Sequence, residues 1–266
     1  MSVDEWQIEL DVDLTNPGQF FACCGLFELA SRCEPAALAR FDGGKFCLRM
    51  RSMDLPALMS IATKVPITPL DPNDPAASPL RLGDPIGLTL DWWCDPFGGG
   101  DLKVWAGSMH NARIAVAMQA ASSAAAELEP ERVLNYSTVV FEPERPTKKV
   151  EPFYFDCRRG DNAFAIDVGF SPNDLRMTTT AHPAVEFLCL IGLQRFRPGR
   201  TDRRRVFIYT AWSRWRSAVV AAAEVAGLGG SDGDPRFRFE NVFRTDQKKH
   251  KAFGSATRLE INNDHD

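Results

Sequence analysis

The stretch Leu14-Thr-Asn-Pro-Gly-Gln-Phe-Phe-Ala-Cys-Cys-Gly-Leu-Phe-Glu-Leu-Ala30 joins a predicted strand to a predicted helix. Before it, apolar and polar residues alternate over positions 7–14, which is typical of a half-buried strand. Asn16-Pro17-Gly18 breaks the alternation. A broad apolar face then predicts a helix over positions 19–33. The N-terminal region is therefore predicted to be strand, turn and helix.

The rest of the chain mixes strands and helices. Further strands are predicted at 45–51, 86–92, 136–141, 205–210 and 236–242, and the two arms of a hairpin at 153–156 and 164–168. Helices are predicted at 55–63, 109–128, 183–196 and 214–226, and the proline-rich residues 66–85 are predicted to be a loop. Because strands and helices do not alternate strictly, we expect an α+β fold with a mixed, mostly antiparallel sheet and packed helices.

The domain organisation predicted from the sequence is one α+β domain over residues 1–266. A polar turn with two prolines at 143–149 is the best candidate boundary within it. The alternative is therefore a subdivision near 143–150 into an acidic N-terminal half and a basic C-terminal half.

Composition excludes several classes of protein. Of the 266 residues, 44% are hydrophobic and 25% charged, which is typical of a globular chain. The seven cysteines include no Cys-x-x-Cys pair, so we expect neither a disulfide framework nor a structural metal, and no cofactor. No apolar run approaches the ~18 residues of a membrane helix, and the first residues are acidic, unlike a signal peptide. We expect a cytoplasmic protein that does not contact a membrane.

The net charge of −4 hides an uneven distribution. Residues 195–258 contain 15 Lys and Arg against 6 Asp and Glu, whereas the remainder is strongly acidic. Such asymmetry is typical of a surface that binds a polyanion. Accidental sorting of charges on exposed elements is the alternative, since basic clusters are a common feature.

Arginines are concentrated within residues 195–216, where eight of them accompany one acid, Asp202, and no lysine. Arginine is favoured where planar, bidentate contact with phosphate matters. Phe196, Trp212 and Trp215 are interleaved, as in platforms that stack bases. The predicted phosphate ligands are Arg195, Arg197, Arg200, Arg203, Arg204 and Arg205. A solvated loop is the alternative.

Three smaller groups extend the predicted nucleic-acid-binding surface. Lys103, Asn111 and Arg113 lie near Trp105 at a helix start, which suits phosphate and base contacts. Trp105 as a core residue beside a solvated Lys103 is the alternative. Arg158 and Arg159 form the predicted hairpin tip. The basic tail adds Arg244, Lys248, Lys249, His250 and Lys251.

No catalytic constellation stands out. The four histidines form no metal-binding pattern, and Gly98-Gly99-Gly100 lacks the hydroxyl residue of a phosphate-binding Walker loop. Cys23 and Cys24 are flanked by phenylalanines, which favours core packing over a reactive thiol. We predict no catalytic residues and no enzyme. The alternative is a metal-dependent nuclease or hydrolase that uses Asp156, Asp167 and Glu186.

Three stretches together resemble a known family. The first is the stretch 14–30, and the second is Leu102-Lys-Val-Trp-Ala-Gly107 with the alanine-rich helix after it. The third comprises Phe153-Tyr-Phe-Asp-Cys-Arg-Arg-Gly160, Asp167-Val-Gly-Phe-Ser171 and the two ends of 183–198, Pro183-Ala-Val-Glu-Phe-Leu188 and Gly192-Leu-Gln-Arg-Phe-Arg-Pro198. They resemble the CRISPR-associated Csb proteins of type I-U (also called I-G) systems, most closely the third Csb family. The likeness covers positions 14 to 198.

The resemblance implies a non-enzymatic subunit of a Cascade-like surveillance complex. Its partners would be other Cascade subunits, a guide RNA, target DNA and the helicase-nuclease that the complex recruits. In such complexes RNA–DNA pairing reads the sequence, and proteins hold backbones and read the motif adjacent to the target. A guide-RNA-binding backbone or accessory subunit is the alternative within this class. At 266 residues the chain is short for a large subunit, so we expect the usual helical C-terminal bundle to be missing or supplied by another protein.

Overall fold

The computed structural model describes residues 6–106, 109–128, 130–158, 180–231, 233–244 and 250–260. Those residues form six helices and 13 strands, and every strand pair is antiparallel. The predicted α+β fold, with mostly antiparallel sheets and packed helices, is confirmed.

The elements follow the chain in mixed order. The strands are β1 (Trp6–Asp11), β2 (Leu38–Asp42), β3 (Lys45–Met50), β4 (Ile67–Pro69), β5 (Leu80–Leu82), β6 (Leu88–Leu90), β7 (Phe141–Glu142), β8 (Arg145–Lys149), β9 (Gly199–Arg200), β10 (Val206–Thr210), β11 (Arg236–Phe243), β12 (Lys251–Phe253) and β13 (Thr257–Leu259). The helices are α1 (Pro17–Cys33), α2 (Leu55–Lys64), α3 (Gly99–Leu102), α4 (Asn111–Leu128), α5 (Pro183–Arg195) and α6 (Ala218–Val225).

Four small sheets surround the helices. The N-terminal sheet has the order β1-β3-β2, and the C-terminal sheet has the order β12-β11-β10-β9, with β13 also paired to β11. The other two are β4-β5-β6 and the ribbon β7-β8. One hydrophobic cluster extends from Ile8 to Ala256, so residues from both ends of the chain contribute to the core.

Helices α1 and α5 form the centre of this core. Asn16 caps α1, because its side-chain oxygen accepts the amide hydrogen of Gly18 at 3.0 Å. The two helices cross at Gly25 and Gly192. A Cβ on Gly25 would lie 1.9 Å from the carbonyl oxygen of Leu188, and a Cβ on Gly192 would lie 2.1 Å from that of Phe21. Only glycine permits backbones to approach this closely.

Two of the three cysteines of α1 are core residues, as predicted. Cys23 and Cys24 have no exposed surface, and burial raises the pKa of both thiols. Since the thiolate is the reactive form, this environment suits packing rather than nucleophilic chemistry.

Four predictions of secondary structure need correction. Of the predicted strand at 136–141, only Phe141 belongs to a strand, β7. The predicted loop at 66–85 contains β4 and β5, and the predicted turn at 143–149 belongs mostly to the ribbon β7-β8. Strands of two or three residues are too short to show an alternating pattern. Residues 153–156 are not a strand, because Tyr154 adopts a left-handed φ of 75°. The other predicted arm, 164–168, lies outside the described residues.

A membrane span was not expected from the sequence. Among the helices of the described ranges, none combines the length and apolar character needed to cross a bilayer.

Candidate nucleic-acid interface

A pocket of about 330 Å³ brings together cations from three separate parts of the chain. Its basic residues are Lys103, which follows α3, the neighbouring Arg204 and Arg205, and Lys251 of β12. Asp101 is the one acid among the described residues that line it. The remaining lining residues are Gly100, Trp105, Ala106 and Phe243, and the whole set is called the basic pocket below.

One wall of the basic pocket is fixed by a buried amide. The Nδ2 atom of Asn241, a residue with no exposed surface, donates to the carbonyl oxygens of Asp101 and Leu102 at 2.7 and 3.0 Å. In addition, the backbone amide of Lys251 donates to the carbonyl oxygen of Val104 at 3.1 Å. These bonds hold the end of α3 and the following residues against β11 and β12.

The opposite wall is the tight turn between β9 and β10. The hydroxyl of Thr201 accepts from the amide of Arg203 at 3.1 Å and lies 3.0 Å from the carbonyl oxygen of Val206. Arg205 has a left-handed φ of 63°, which is unfavourable for a residue with a side chain. Its guanidinium lies 4.5 Å from the centre of the Phe243 ring. The turn therefore directs Arg204 and Arg205 into the basic pocket, while Arg203 is not among the lining residues.

Lys251 faces the other charges of the pocket. Its Nζ donates to the carbonyl oxygens of Gly100 and Asp101 at 2.8 and 3.4 Å. Burial lowers the pKa of Lys251 to about 8, and the charges of Arg204, Arg205 and Lys103 contribute in the same direction, opposed by Asp101. A partly buried ammonium group among other cations favours the approach of an anion.

Lys103 is the second partly buried lysine of the pocket. Its Nζ lies 5.1 Å from the centre of the Trp105 ring and 3.4 Å from the carbonyl oxygen of Ala76. Burial lowers the pKa of Lys103 as well. Trp105 is buried, as the alternative interpretation expected, but Lys103 is not a solvated side chain.

Two of the predicted phosphate ligands are structural instead. Arg195 pairs with the buried carboxylate of Glu28, which also binds Arg32 at 2.7 Å. Arg197 pairs with Asp95 at 3.1 Å, and burial lowers its pKa. Both guanidinium groups are only about a third exposed. Both charges are held in ion pairs that connect the C-terminal end of α5 to neighbouring elements, and neither residue lines the basic pocket.

Arg200 and Arg203 remain on the surface beside the basic pocket. Arg200 is exposed and donates to the carbonyl oxygen of Phe97 at 2.6 Å. Arg203 is exposed, and its guanidinium has no partner within the described part of the chain. Arg204 is 79% exposed and pairs with Asp101 at 2.7 Å, so it borders the pocket and solvent at once.

The predicted binding residues near α4 also bond to other parts of the protein. Asn111 has no exposed surface and donates to the carbonyl oxygen of Ser78 at 2.7 Å, so it does not belong to a binding surface. Arg113 forms an ion pair with the buried Glu142, which also pairs with Arg145 at 2.5 Å. Of this predicted group, only Lys103 lines the basic pocket.

Arg158 does not lie at a hairpin tip. It binds Asp156 and donates to the carbonyl oxygen of Leu134 at 2.9 Å and to the side chain of Asn135 at 3.0 Å. This network holds the guanidinium against the protein, so the predicted insertion into a groove is not supported. The remaining candidates, Arg159, Lys248 and Lys249, lie outside the described residues.

The interleaved aromatic residues do not form a platform for bases. Phe196 and Trp212 have no exposed surface, and their rings stack in the core with centres 6.1 Å apart. Trp215 is half-buried, with the guanidinium of Arg49 at 4.1 Å and that of Arg40 at 5.1 Å from its ring centre. Packing therefore explains why aromatic residues and arginines are interleaved in the sequence, because large rings lie next to arginines at the edge of the core.

The acids of the hydrolase alternative are used to hold the backbone. The buried carboxylate of Glu186 accepts the amide hydrogens of Tyr154, Phe155 and Asp156 at 3.0, 3.2 and 3.1 Å. Burial disfavours the charge of Asp156, but Arg158, His182 and Asn16 together lower the pKa of that carboxyl. Asp167 lies outside the described residues. Across the positions that the structure covers, no group of three side chains is arranged to bind a metal ion.

Sequence reasoning missed how the pocket is assembled. Lys251 was recognised only as part of a basic tail, and Asn241 and Phe243 were not singled out. No local signal identifies these residues, because their role depends on strand pairing that brings Phe243 opposite Lys251.

Comparisons with protein-family models, curated proteins and solved structures found no match to this chain.

Proposed function

We propose that this chain is a nucleic-acid-binding, non-enzymatic subunit of a type I CRISPR RNA-guided surveillance complex. In this role it holds target DNA, contacts the motif adjacent to the target and helps to recruit the helicase-nuclease. The resemblance of the stretches in 14–198 to the third Csb family supports the class of complex. The convergence of Lys103, Arg204, Arg205 and Lys251 in the basic pocket is the observation that carries the binding role.

The chemistry of the pocket fits a backbone-binding protein. Lysine and arginine bind phosphates by charge, and the planar fork of arginine matches two phosphate oxygens. Contacts of this kind position a strand but carry no base information. A subunit of a complex that reads sequence by base pairing needs this type of contact.

The class of complex is tested by purifying the tagged chain from its native host. We expect other CRISPR subunits and a uniform short RNA to co-purify. Recovery of the chain alone, or with a small metabolite, would contradict the proposal. If the RNA co-purifies but the assembled complex does not need this chain to hold target DNA, the chain is the guide-RNA-binding or accessory subunit.

The binding role is tested on the isolated protein. We expect weak binding to single-stranded oligonucleotides that falls steeply between about 50 mM and about 200 mM salt, because each neutralised phosphate adds close to one unit to the log–log slope. The measurement is fluorescence anisotropy with a labelled oligonucleotide over a salt series. Binding that is unchanged by salt would remove the electrostatic basis of the proposal.

A further inference from the structure

We infer that the basic pocket binds a single phosphate group of a nucleic acid, with Lys251 as the ligand that faces the other cations. This inference rests on the proposed function and goes beyond it, because it distinguishes one defined phosphate site from a general basic surface. The ligand chemistry is a phosphate oxyanion, either an internal diester or a terminal monoester.

The dimensions of the pocket limit what it accepts. A volume of about 330 Å³ lies at the lower end of small-ligand pockets. Cations stand on three sides, at Lys103, at Arg204 and Arg205, and at Lys251. The pocket is open to solvent on the side of the exposed Arg204, and its size suits one phosphate with its adjoining sugar, whereas a longer groove would be needed to follow several nucleotides.

Several features of the basic pocket are unfavourable for the protein alone. Among the described residues, Asp101 binds Arg204 at 2.7 Å and Glu240 lies 3.8 Å from Arg205, whereas Lys103 and Lys251 form no ion pair. The Nε atom of Arg205 is buried without an acceptor among the described residues, and the same residue has a left-handed backbone. Costs of this kind persist where function requires them. A bound oxyanion would supply the missing negative charge and acceptors.

Binding is expected to depend on the protonation of Lys251. The charged groups that face it are Asp101, Lys103, Arg204 and Arg205. The arginines keep their charge at all relevant pH values, whereas the pKa of Lys251 is lowered to about 8. Only the protonated lysine attracts phosphate, so affinity must fall as the pH rises through this value.

The test measures binding of the full-length protein to a fluorescent single-stranded oligonucleotide over a pH series. For the wild type we expect a loss of about tenfold in affinity between about pH 7 and about pH 9, as a group with a pKa near 8 loses its proton. Lys251→Arg keeps the charge and should bind with little dependence on pH. Lys251→Met should bind weakly throughout, with thermal unfolding as the check that it folds. Lys103→Arg measures how much of the pH dependence of binding comes from the other partly buried lysine.

Matched arginine variants test the boundary of the pocket. Arg203→Ala removes a charge from the same turn but outside the lining, so it should weaken binding less than twofold. Arg204→Ala removes a charge from the lining and should weaken binding about tenfold. Equal losses for Arg203→Ala and Arg204→Ala would overturn the inference in favour of a general basic surface.

Two further binding measurements test the single-phosphate site and distinguish the source of the phosphate. Inorganic phosphate should compete with the oligonucleotide for the wild type, and failure to compete would contradict a single-phosphate site. An oligonucleotide with a 5′-terminal phosphate that binds more tightly than its unphosphorylated form identifies a monoester, and equal affinities identify an internal diester.

An unchanged pH dependence in Lys251→Arg would overturn the inference while oligonucleotide binding itself still supports the proposed function. Absence of any oligonucleotide binding by the wild type would instead contradict the proposed function.

Discussion

Arg195 and Arg204 show how differently one residue type is used within a short stretch of the chain. Arg195 neutralises Glu28, which has only 1% of its side chain exposed. Arg204 keeps 79% of its side chain exposed beside the basic pocket. Burial of the acidic partner, rather than sequence neighbourhood, separates a structural arginine from a candidate ligand.

This difference predicts opposite results for two alanine substitutions. Arg195→Ala should lower the free energy of unfolding by about 1–3 kcal/mol, because Glu28 keeps Arg32 but loses one partner. The folded fraction of this variant should bind oligonucleotides as the wild type does. Arg204→Ala should leave stability nearly unchanged and weaken binding. Denaturant titration and anisotropy measure the two effects, and weakened binding by a fully folded Arg195→Ala protein would contradict the assignment.

The lowered pKa of Lys251 leads to a separate prediction about stability. Its pKa is lowered from 10.5 in the unfolded chain to about 8 in the folded protein, so the unfolded chain binds more protons between these values. Stability contributed by this group must therefore rise as the pH increases through that window. Lys251→Met should lack this rise and should be more stable than the wild type at about pH 7, by about 1 kcal/mol. Denaturant titrations of both proteins at several pH values provide the measurement, and parallel pH profiles would refute the expectation.

At the scale of elements, the crossing of α1 and α5 positions the segments that are attached to these two helices. The first turn of α5 carries Glu186, which binds the segment 154–156, and its last turn carries Arg195, which binds α1. Gly25 and Gly192 permit this crossing. The C-terminal end of α5 then leads directly through β9 into the turn that contains Arg204 and Arg205.

Adding one methyl group where the two helices cross should therefore lower the stability of the protein. Gly192→Ala should lower the free energy of unfolding by about 3 kcal/mol or more, since its Cβ would collide with backbone atoms that have no room to move. The matched control is Gly44→Ala, whose Cβ would lie an ordinary 3.6 Å from the carbonyl oxygen of Val12. Thermal and denaturant unfolding compare them, and equal stabilities would show that the helices do not cross as described.

Glu186 supports a second prediction at this scale. Glu186→Gln keeps the size of the side chain but replaces an acceptor oxygen with a donor that faces backbone amides. The variant should be less stable by about 2–4 kcal/mol, the cost of buried donors without acceptors. Circular dichroism during denaturation provides the measurement, and a variant as stable as the wild type would mean that the three amide bonds are not made.

The sequence predicted this architecture better than it predicted the site. The strand and the helix on either side of Asn16 were correctly expected, because each carries a local pattern, but the helix begins at Pro17 and not at residue 19. The short strands of 66–85 carry no such pattern. The arginine-rich stretch contains Arg204 and Arg205 of the basic pocket, but its residues divide between core, ion pairs and pocket according to long-range contacts. Those contacts, such as the one between Asn241 and the end of α3, leave no mark in local sequence.

At the scale of the whole molecule, an acidic N-terminal part and a basic pocket belong to the same chain. The edge strand β1 presents Gln7, Glu9 and Asp11 on its exposed face, away from the residues of the pocket in sequence. In the proposed complex, the acidic part contacts basic neighbouring subunits and the pocket holds nucleic acid. Substitutions in the pocket should therefore separate assembly from binding.

The most direct test is retention of target DNA by the assembled complex that contains Arg204→Ala together with Arg205→Ala. The matched control is Arg214→Ala, an exposed arginine that does not line the basic pocket. We expect both complexes to assemble, and only the double variant to lose target DNA, to a similar extent for all target sequences because phosphate contacts are blind to bases. Lysine at both positions should restore part of the binding. A double variant that holds target DNA as tightly as the wild type would contradict the assignment of the basic pocket as the nucleic-acid-binding site.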